Sequence, residues 1–309
     1  MKPPEVFALG SSTVGWACGC SRRGASHQRN LQPCQDAFAF WSGAIRGGPR
    51  LVAAVADGHG DARHDLSDVG AALAVQVAVS ELCSFHVGHA DQPDAPMRRD
   101  FKSDCPRIIS RRWREAVRAD ASERCPTVIA PSSAPQEPAT EPADESPLFR
   151  RYGSTLLTAL LTPETLCVAQ LGDGDIVWLR PDGECERPFP VELAIGTETD
   201  SLCSPNAQVR WKTATLDRRA GGLLLLTTDG LPNSFADETA FDQFVGSLRQ
   251  RIQDHGFGGV ADALPAWLDH YSDQGSGDDM TLVIIDVPPI DLCNEDVTNP
   301  SQRRHESLP

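Results

Sequence analysis

The stretch "VAAVADGHGDARHD", Val52 to Asp65, joins an apolar run to a turn that is rich in reactive side chains. Its first residues favour a buried strand, because Val and Ala follow one another without a polar interruption. Asp57 and Gly58 then end the run in a dipeptide that is typical of turns. His59 and further carboxylates follow at once, which an ordinary turn does not need. The stretch therefore allows two interpretations, a plain turn and a reaction centre.

The residues on either side of this stretch predict strands before it and a helix after it. Three β-prone runs, "VFAL", "DAFAFW" and "LVAAVA", are separated by Gly and Ser. From Asp65 onward, "DLSDVGAALAVQVAVSELCSFHV" carries apolar residues at helical spacing, with Ser67 or Asp68 as the N-cap. A second helix is predicted after Pro106.

The C-terminal half predicts more strands, then two helices, then one last strand. The β-rich runs are "STLLTALLT", "TLCVAQLGDGDIVWLRPDG", "AQVRWKTATL" and "GGLLLLTTDG". The helical segments are "DETAFDQFVGSLRQRIQDHG" and "VADALPAWLDHYSDQ", and "MTLVIIDV" is the final strand. Strands and helices that come in runs, without strict βαβ alternation, indicate an α+β fold of antiparallel sheets with helices on the outer faces.

Composition predicts one domain with one insertion and a tail. Residues 125–147 are rich in Pro, Ala, Ser, Thr and Glu, which cannot bury enough apolar area to offset chain entropy. We expect a single domain over residues 1–287, interrupted by this disordered loop and followed by a flexible polar tail over 288–309. The strand pattern before the loop is incomplete without the strands that come after it.

Charge and cysteine content restrict the class of partner. The formal net charge of −15 disfavours nucleic acids and anionic membranes, which carry charge of the same sign, and favours metal cations and basic segments. The ten cysteines include no CxxC pair, which fits reduced thiols in a cytoplasmic protein. The N-terminus lacks the apolar core of a signal peptide, and no apolar run approaches the ~20 residues of a membrane helix.

Several apolar runs stop at an aspartate beside a small residue. These are "CQDAF" at Asp36, "VADGHG" at Asp57, "LTTDG" at Asp229, "SGDDMT" at Asp278 and Asp279, and "AQLGDGD" at Asp173 and Asp175. Taken singly, each predicts a turn, and "CVAQLGDGDIVWL" reads as a hairpin with an exposed Asp175. Taken together, they supply the oxygen ligands that Mg²⁺ and Mn²⁺ require, and without cations such a cluster would be strongly repulsive.

The ordered motifs "CQDAF", "VADGHG", "YGSTLLTALL", "VAQLGDGDI", "LLLTTDGL" and "GSGDDMTLVI" resemble those of the metal-dependent protein phosphatases of type 2C, the PPM family. The resemblance runs from about residue 13 to 287, and "GASHQRNLQPCQDAFAF" is similar to the start of a bacterial branch. It implies a β-sandwich of two antiparallel sheets flanked by α-helices in four αββα layers. It also implies two Mn²⁺ or Mg²⁺ ions, with a weaker third site.

The resemblance assigns metal-binding roles by motif. Asp57 would bridge the two metals, and the carbonyl of Gly58 would bind one of them. Asp229 and Asp278 would complete the shell of the other metal. Asp173 would belong to the third site, which it would share with Asp229.

The resemblance also implies the reaction, which is the hydrolysis of phosphorylated serine or threonine in a protein. For the oligomeric state, a monomer is favoured. A metal-bridging water would attack phosphorus, Asp36 would hold a metal-bound water, and His59 would protonate the leaving alkoxide as general acid. The residues fit this chemistry because two cations can activate water without a protein nucleophile. The sequence contains neither a GxxxxGK[ST] loop nor a CxxxxxR loop.

Two residues of the metal motifs depart from the family pattern. Gln35 stands where many relatives have a glutamate, and a neutral amide is a poorer ligand, so the second metal would bind more weakly or through water. Asp279 stands where relatives have an asparagine. We expect Asp278 to be the ligand, with Asp279 as the alternative.

The arginine that grips phosphate in this family falls on Leu31 by spacing. Arg29 and His27 are the nearest candidates, Arg22 or Arg23 is a further one, and bidentate capture of phosphate favours Arg29.

The segment "FPVELAIGTETDSLCSPNAQ" corresponds to a flap beside the metal site in the family, so Thr197, Glu198 and Thr199 are candidate substrate contacts. Two alternatives stay open. One is a weak or inactive binding module for a phosphoprotein, which Gln35 and the missing arginine motivate. The other is a phosphatase for small phosphomonoesters.

Overall fold

The computed structural model describes residues 6–124, 145–189 and 199–290. Eleven strands are present in this part of the chain. In chain order they are β1 (Val6–Ser12), β2 (Gly15–Arg22), β3 (Ala37–Ile45), β4 (Gly48–Ala56), β5 (Leu156–Leu161), β6 (Leu166–Leu171), β7 (Asp175–Leu179), β8 (Cys185–Glu186), β9 (Lys212–Leu216), β10 (Gly222–Thr227) and β11 (Met280–Val287).

The strands form two sheets in which every pairing is antiparallel. Sheet A has the order β1-β2-β11-β10-β7-β8, and sheet B has the order β3-β4-β5-β6-β9. The central strands β4, β5, β6 and β10 are apolar on both faces because each sheet is covered on both sides. This is why the sequence "LVAAVA" shows a continuous apolar run rather than an alternating one.

Helices cover the outer face of each sheet. They are α1 (Ala25–Arg29), α2 (Ser67–Gly88), α3 (Asp94–Arg124), α4 (Ser146–Arg151), α5 (Ala207–Arg210) and α6 (Glu238–Gln274). Helices α2 and α3 pack on sheet B, and α6 packs on sheet A. The apolar side chains between the two sheets form the middle of the core. The result is the expected α+β sandwich in four αββα layers.

The hairpin predicted for "CVAQLGDGDIVWL" is wrong. Strand β6 pairs with β5 and β9 in sheet B, whereas β7 pairs with β10 and β8 in sheet A. The chain therefore crosses between the sheets at Gly172–Gly174, where the amide of Gln170 donates to the carbonyls of both glycines at 3.0 and 2.8 Å. Asp175 is correspondingly not exposed, since it lies 3.2 Å from the guanidinium of Arg187 with 13% of its side chain accessible.

Two helix predictions also need correction. Helix α3 begins at Asp94 rather than after Pro106, and the proline lies inside it. The helix tolerates the loss of one N–H group because Phe101 before the proline and Trp113 after it are both buried in the same core. The two helical segments predicted near the C-terminus are joined as α6 across a kink at Gly256, which has a φ of 73°.

Helix α2 differs from expectation in length and in its cap. It has 22 residues, and an 18-residue window within it has a mean hydropathy of 1.4, so by length and composition alone it could cross a membrane, contrary to the sequence analysis. One face is buried against β3 and β4, as in the core helix of a layered domain. Neither Ser67 nor Asp68 caps it, because the helix starts at Ser67 itself and the Ser67 hydroxyl accepts a hydrogen bond from Gln35 instead.

Most of the predicted loop at 125–147, namely 125–144, lies outside the described residues, as does 291–309 of the predicted tail. The last residues of the predicted loop are ordered, since α4 begins at Ser146.

Candidate active site

The aspartates that end strands meet at one end of the sandwich. Asp57 follows β4 and Asp229 follows β10, while Asp278 precedes β11. Antiparallel pairing brings these ends together, and Asp173 joins them from the crossing between β6 and β7. They line a cavity of about 390 Å³, the catalytic cavity, whose walls are Ser26, His27, Gln35, Asp57, Gly58, His59, Gly60, Thr155, Asp173, Asp229, Ser276, Asp278 and Asp279.

Two glycines allow the loops of the cavity to approach closely. A Cβ atom at Gly58 would lie 2.7 Å from the carbonyl oxygen of Ser67 and 2.8 Å from that of Gln35. A Cβ atom at Gly230 would lie 2.1 Å from the carbonyl oxygen of Asp279. Any larger residue would push the loops apart. The glycine beside each aspartate thus serves the assembly of the cluster and not only the turn.

The carboxylates destabilise one another's charge. Burial raises the pKa of Asp57 well above its ordinary value, and repulsion from Asp36, Asp229 and Asp278 adds to the effect. Burial and then Asp173 raise the pKa of Asp229 to about 6. Without a cation, the cluster therefore retains protons that free aspartates would release.

The donor set fits hard divalent cations. The cavity walls carry five carboxylates and, within the part of the chain that the structure describes, neither lysine nor arginine. Oxygen-rich clusters of this kind suit Mg²⁺ or Mn²⁺. Among the described residues, no three or more His, Cys, Asp or Glu side chains are arranged as a metal site. The suitability of the cavity for divalent cations is therefore inferred from its carboxylate oxygens and from the repulsion between them.

Gln35 contributes an amide oxygen to this cavity. Its Nε2 donates to the hydroxyl of Ser67 at 2.8 Å, and its backbone N–H donates to Asp279 at 2.6 Å. Its Oε1 is buried and has no hydrogen-bond partner among the described residues. A buried acceptor without a donor is costly, so this oxygen is suited to a cation or to a water molecule.

Asp36 lies behind the cavity rather than in its wall. Its carboxylate accepts a hydrogen bond from the hydroxyl of Thr228 at 2.7 Å, and it lines a separate cavity together with Cys34 and Phe38. Burial raises the pKa of Asp36 well above its ordinary value, and the charge of Asp279 raises it further. The structure thus brings Asp36 within electrostatic reach of the cluster but not into its walls.

Asp279 holds three chain segments together. Its carboxylate accepts hydrogen bonds from the backbone N–H groups of Gly24 and Gln35, each at 2.6 Å. The Nδ1 atom of His27 lies 2.8 Å from the same carboxylate, although its N–H does not point along the contact. Asp279 is 3% exposed, whereas Asp278 faces the solvent of the cavity. This geometry favours Asp278 over Asp279 as a metal ligand.

Of the candidates for binding phosphate, His27 alone lines the catalytic cavity among the described residues. Arg29, which the sequence favoured, is exposed and lies beside Gly277 outside the walls. Arg22 is engaged with Asp269 at 2.6 and 2.5 Å. Leu31 is 87% exposed.

Arg23 lines the separate cavity that also contains Asp36. His27 was one of the two nearest candidates in the sequence, but no local pattern shows that the carboxylate of Asp279 lies beside its ring.

His59 is held at the edge of the catalytic cavity. Its backbone N–H donates to the carbonyl of Gly153 at 3.2 Å, and its ring meets the ring of His64 edge to face at 4.8 Å. A Cβ atom at Gly153 would lie 2.7 Å from the His59 ring and 2.3 Å from Nδ1 of His64. The sequence did not predict that His64 and Gly153 confine the proposed general acid.

The flap prediction is met only in part by described residues. Thr199 donates a hydrogen bond to Asp173 at 2.8 Å, so it adjoins the carboxylate cluster. Thr197 and Glu198 lie outside the described residues.

Solved structures of bacterial phosphatases are similar to this chain in fold. A bacterial serine phosphatase is 12% identical, with 88% of this chain and 98% of that chain covered at a TM-score of 0.57. The catalytic domain of the phosphatase PstP, solved with two manganese ions, is 20% identical (82% and 98% covered, TM-score 0.50). The Mycobacterium tuberculosis phosphatase PstP/Ppp is 16% identical (88% and 98% covered, TM-score 0.52).

The structural similarity shows that these proteins and this chain share a fold. No curated protein matches the chain. The family profile described as Protein phosphatase 2C matches residues 23–269, which is most of the sequence. The chain therefore belongs to the protein phosphatase 2C family.

Proposed function

We propose that the protein is a serine/threonine phosphoprotein phosphatase that depends on Mn²⁺ or Mg²⁺. The observation that carries the proposal is the convergence of Asp57, Asp229 and Asp278 with His59 around one cavity. Membership of the phosphatase family and the likeness to bacterial serine phosphatases support it.

The cations would be held by the carboxylates of Asp57, Asp229 and Asp278 and by the carbonyl of Gly58. Asp173 would serve a further ion together with Asp229. Such ions, when bound, neutralise phosphoryl oxygens and lower the pKa of water near phosphorus.

His59 would supply the proton for the leaving group. Breaking the bond between phosphorus and the serine or threonine oxygen leaves an alkoxide of high pKa, so an imidazolium that donates a proton to that oxygen accelerates the step. The products are then the free hydroxyl side chain and inorganic phosphate. The contacts of His59 with Gly153 and His64 hold the ring at the edge of the cavity, where a leaving group would exit.

His27 would bind a phosphoryl oxygen in place of the family's arginine. Its contact with Asp279 raises its pKa, while burial opposes the rise. A carboxylate held by two backbone N–H groups fixes the ring relative to the cavity. Asp36, behind the wall, would position groups at the bottom of the cavity through its charge and its contact with Thr228.

The test is phosphate release from a phosphothreonine peptide by chelator-treated protein, with and without added Mn²⁺. We expect release that requires Mn²⁺ and that falls by at least about a thousandfold in Asp229→Asn. Asp217→Asn is a matched control, because Asp217 is an exposed aspartate paired with Arg219 away from the cavity. Equal rates for wild type and Asp229→Asn would contradict the proposal.

One observation favours a second candidate, a module that binds phosphoproteins without hydrolysing them. Gln35 presents an uncharged amide to the cavity where many relatives have a carboxylate. Phosphopeptide binding by folded, Mn²⁺-loaded protein without phosphate release would support that alternative. Faster turnover of sugar phosphates or nucleotides than of phosphopeptides would instead indicate a small-molecule phosphatase.

A further inference from the structure

A second cleft adjoins the catalytic cavity. It has a volume of about 580 Å³ and shares His59 and Gly60 with that cavity. We call it the side cleft. Its remaining walls come from the loop after β4, from α4 and from the segment before α5, and they are Asp61, Arg63, His64, Ser146, Arg150, Thr199, Ser201, Cys203, Ser204 and Pro205.

The walls of the side cleft are anchored from behind. Arg114 donates a hydrogen bond to the carbonyl of Ser204 at 2.7 Å, and its guanidinium lies 4.4 Å from the ring centroid of Phe149. Phe149 is buried in the core and precedes Arg150 on α4. The position of Arg150 is therefore set by a packed helix rather than by a free loop.

Carboxylates around the side cleft are already paired with arginines. The four described pairs have N–O distances between 2.6 and 3.3 Å. They are Asp61–Arg63, Asp65–Arg151, Glu145–Arg118 and Asp200–Arg210. Arg150 has no ion pair with any carboxylate in the described part of the chain. Among the described residues, the side cleft therefore carries one arginine without a paired carboxylate, in a protein whose net charge is −15.

We propose that the side cleft binds an anionic side chain of the substrate, located a few residues from the phosphorylated serine or threonine, and that Arg150 determines this specificity. The inference rests on the proposed function, because a peptide whose phosphate lies in the catalytic cavity passes His59 into the side cleft. A guanidinium group binds carboxylates and phosphates in a planar, two-pronged manner. The hydroxyl of Ser204 lies in the same walls and can donate to the same anion.

The charge arrangement also explains why a cleft beside so acidic a cavity would select acidic peptides. Cations in the catalytic cavity and Arg150 in the side cleft would together present positive charge along the path of the peptide. A lysine in the same place would meet Arg150 and be repelled.

The experiment compares phosphothreonine peptides that differ at the positions flanking the phosphorylated residue. The flanks are alanine, aspartate, phosphoserine or lysine, and the proteins are wild type, Arg150→Glu and Arg46→Glu. Arg46 is a matched control, because it is 73% exposed and follows β3 at the end of the sandwich opposite the cavity. Both substitutions change the net charge equally.

We expect wild type to favour the aspartate peptide over the lysine peptide by about fivefold to tenfold in kcat/KM, as for a partly exposed charge pair. Arg150→Glu should reverse the order, and Arg46→Glu should keep it. The preference should weaken in high salt. A stronger preference for phosphoserine than for aspartate would identify a second phosphorylated residue as the preferred anion.

The same ranking should hold for binding alone, measured by fluorescence anisotropy with Asp229→Asn, which separates the side cleft from turnover. Absence of phosphate release by Mn²⁺-loaded wild type, with the binding preference intact, would defeat the proposed function but not the side cleft. An unchanged acidic preference in Arg150→Glu, or its absence in wild type, would overturn the inference. If Arg150→Glu is poorly folded by circular dichroism, Arg150→Gln decides, and it should abolish the preference without reversing it.

Discussion

The carboxyl groups of Asp57 and Asp229 follow strands in different sheets, yet both line the catalytic cavity, and the charge of Asp229 raises the pKa of Asp57. Two carboxylates in one cavity repel each other when both are ionised, so the fold carries a local electrostatic cost that a cation or a proton must offset. The consequences of this relationship can be measured in the absence of any substrate.

The stability of metal-free protein should fall as the pH rises from about 4 to above 6. Asp57 and Asp229 have raised pKa values in the folded state, and that of Asp229 is about 6. The native state then binds more protons than the unfolded state in this window, so the free energy of unfolding decreases with pH. Asp61 and Asp217, whose pKa values are lowered to about 2, act only at lower pH.

Thermal melts with EDTA at pH 5 and pH 8 test this prediction. The melting temperature should be lower at pH 8, and Mn²⁺ should restore it. Asp57→Asn should reduce the difference between the two pH values. A melting temperature that is independent of pH, metal and this substitution would contradict the described repulsion.

His27→Gln should weaken phosphate binding, because among the described residues His27 is the one phosphate-binding candidate of the sequence that lines the catalytic cavity. We expect the inhibition constant of inorganic phosphate and the KM for a phosphopeptide to rise by about tenfold, the equivalent of one charged hydrogen bond. Arg29→Gln is the matched control and should change neither. The assignment fails if Arg29→Gln has the larger effect.

Substitution of Asp278 should mainly weaken metal binding, whereas substitution of Asp279 should mainly lower stability. Asp279→Ala removes the acceptor of two buried N–H groups and the ion-pair partner of His27, which should lower the free energy of unfolding by about 2–4 kcal/mol. Asp278→Ala should leave denaturant unfolding of the metal-free protein nearly unchanged but weaken Mn²⁺ binding. Urea unfolding and Mn²⁺ titration of both variants give the comparison. The reverse pattern would make Asp279 the ligand.

Gly153→Ala should displace His59, because the added Cβ would lie 2.7 Å from its ring. The loss in kcat should reach about a hundredfold for a phosphopeptide, as for a misplaced catalytic group. Nitrophenyl phosphate should lose less, since nitrophenolate leaves without protonation. Gly246→Ala is the control, because a Cβ there meets no atom within 4 Å. Equal losses on both substrates would argue against His59 as the acid.

Local patterns predicted an α+β fold of antiparallel sheets and the aspartates at the strand ends. Strands such as β4 and β10 are continuous apolar runs, and each is followed by an aspartate and a glycine. The sandwich of two sheets and the convergence of Asp57 and Asp229 at one end of it were implied by the resemblance to type 2C phosphatases, because these two residues follow strands of different sheets.

Other features depend on contacts between distant segments, which a local pattern does not contain. The run "GDGD" has the composition of a hairpin turn, and only the pairing of β6 and β7 with different sheets shows that it is a crossing. The guanidinium of Arg29 is better suited than an imidazole to bind phosphate, but Arg29 is exposed. His27 instead lines the cavity, where its ring contacts Asp279. The ion pairs that occupy the carboxylates near Arg150 could likewise not be predicted from the sequence, because several of them join distant segments.

The most direct test of the account is a Mn²⁺ titration of metal-free protein in which bound metal and phosphate release from a phosphothreonine peptide are measured in the same samples. We predict that release is absent without metal, rises with the occupancy of two sites, and is lost together with metal binding in Asp229→Asn. Full-rate release in the presence of chelator, or unchanged metal binding in Asp229→Asn, would contradict the claim that the converging aspartates form the catalytic centre.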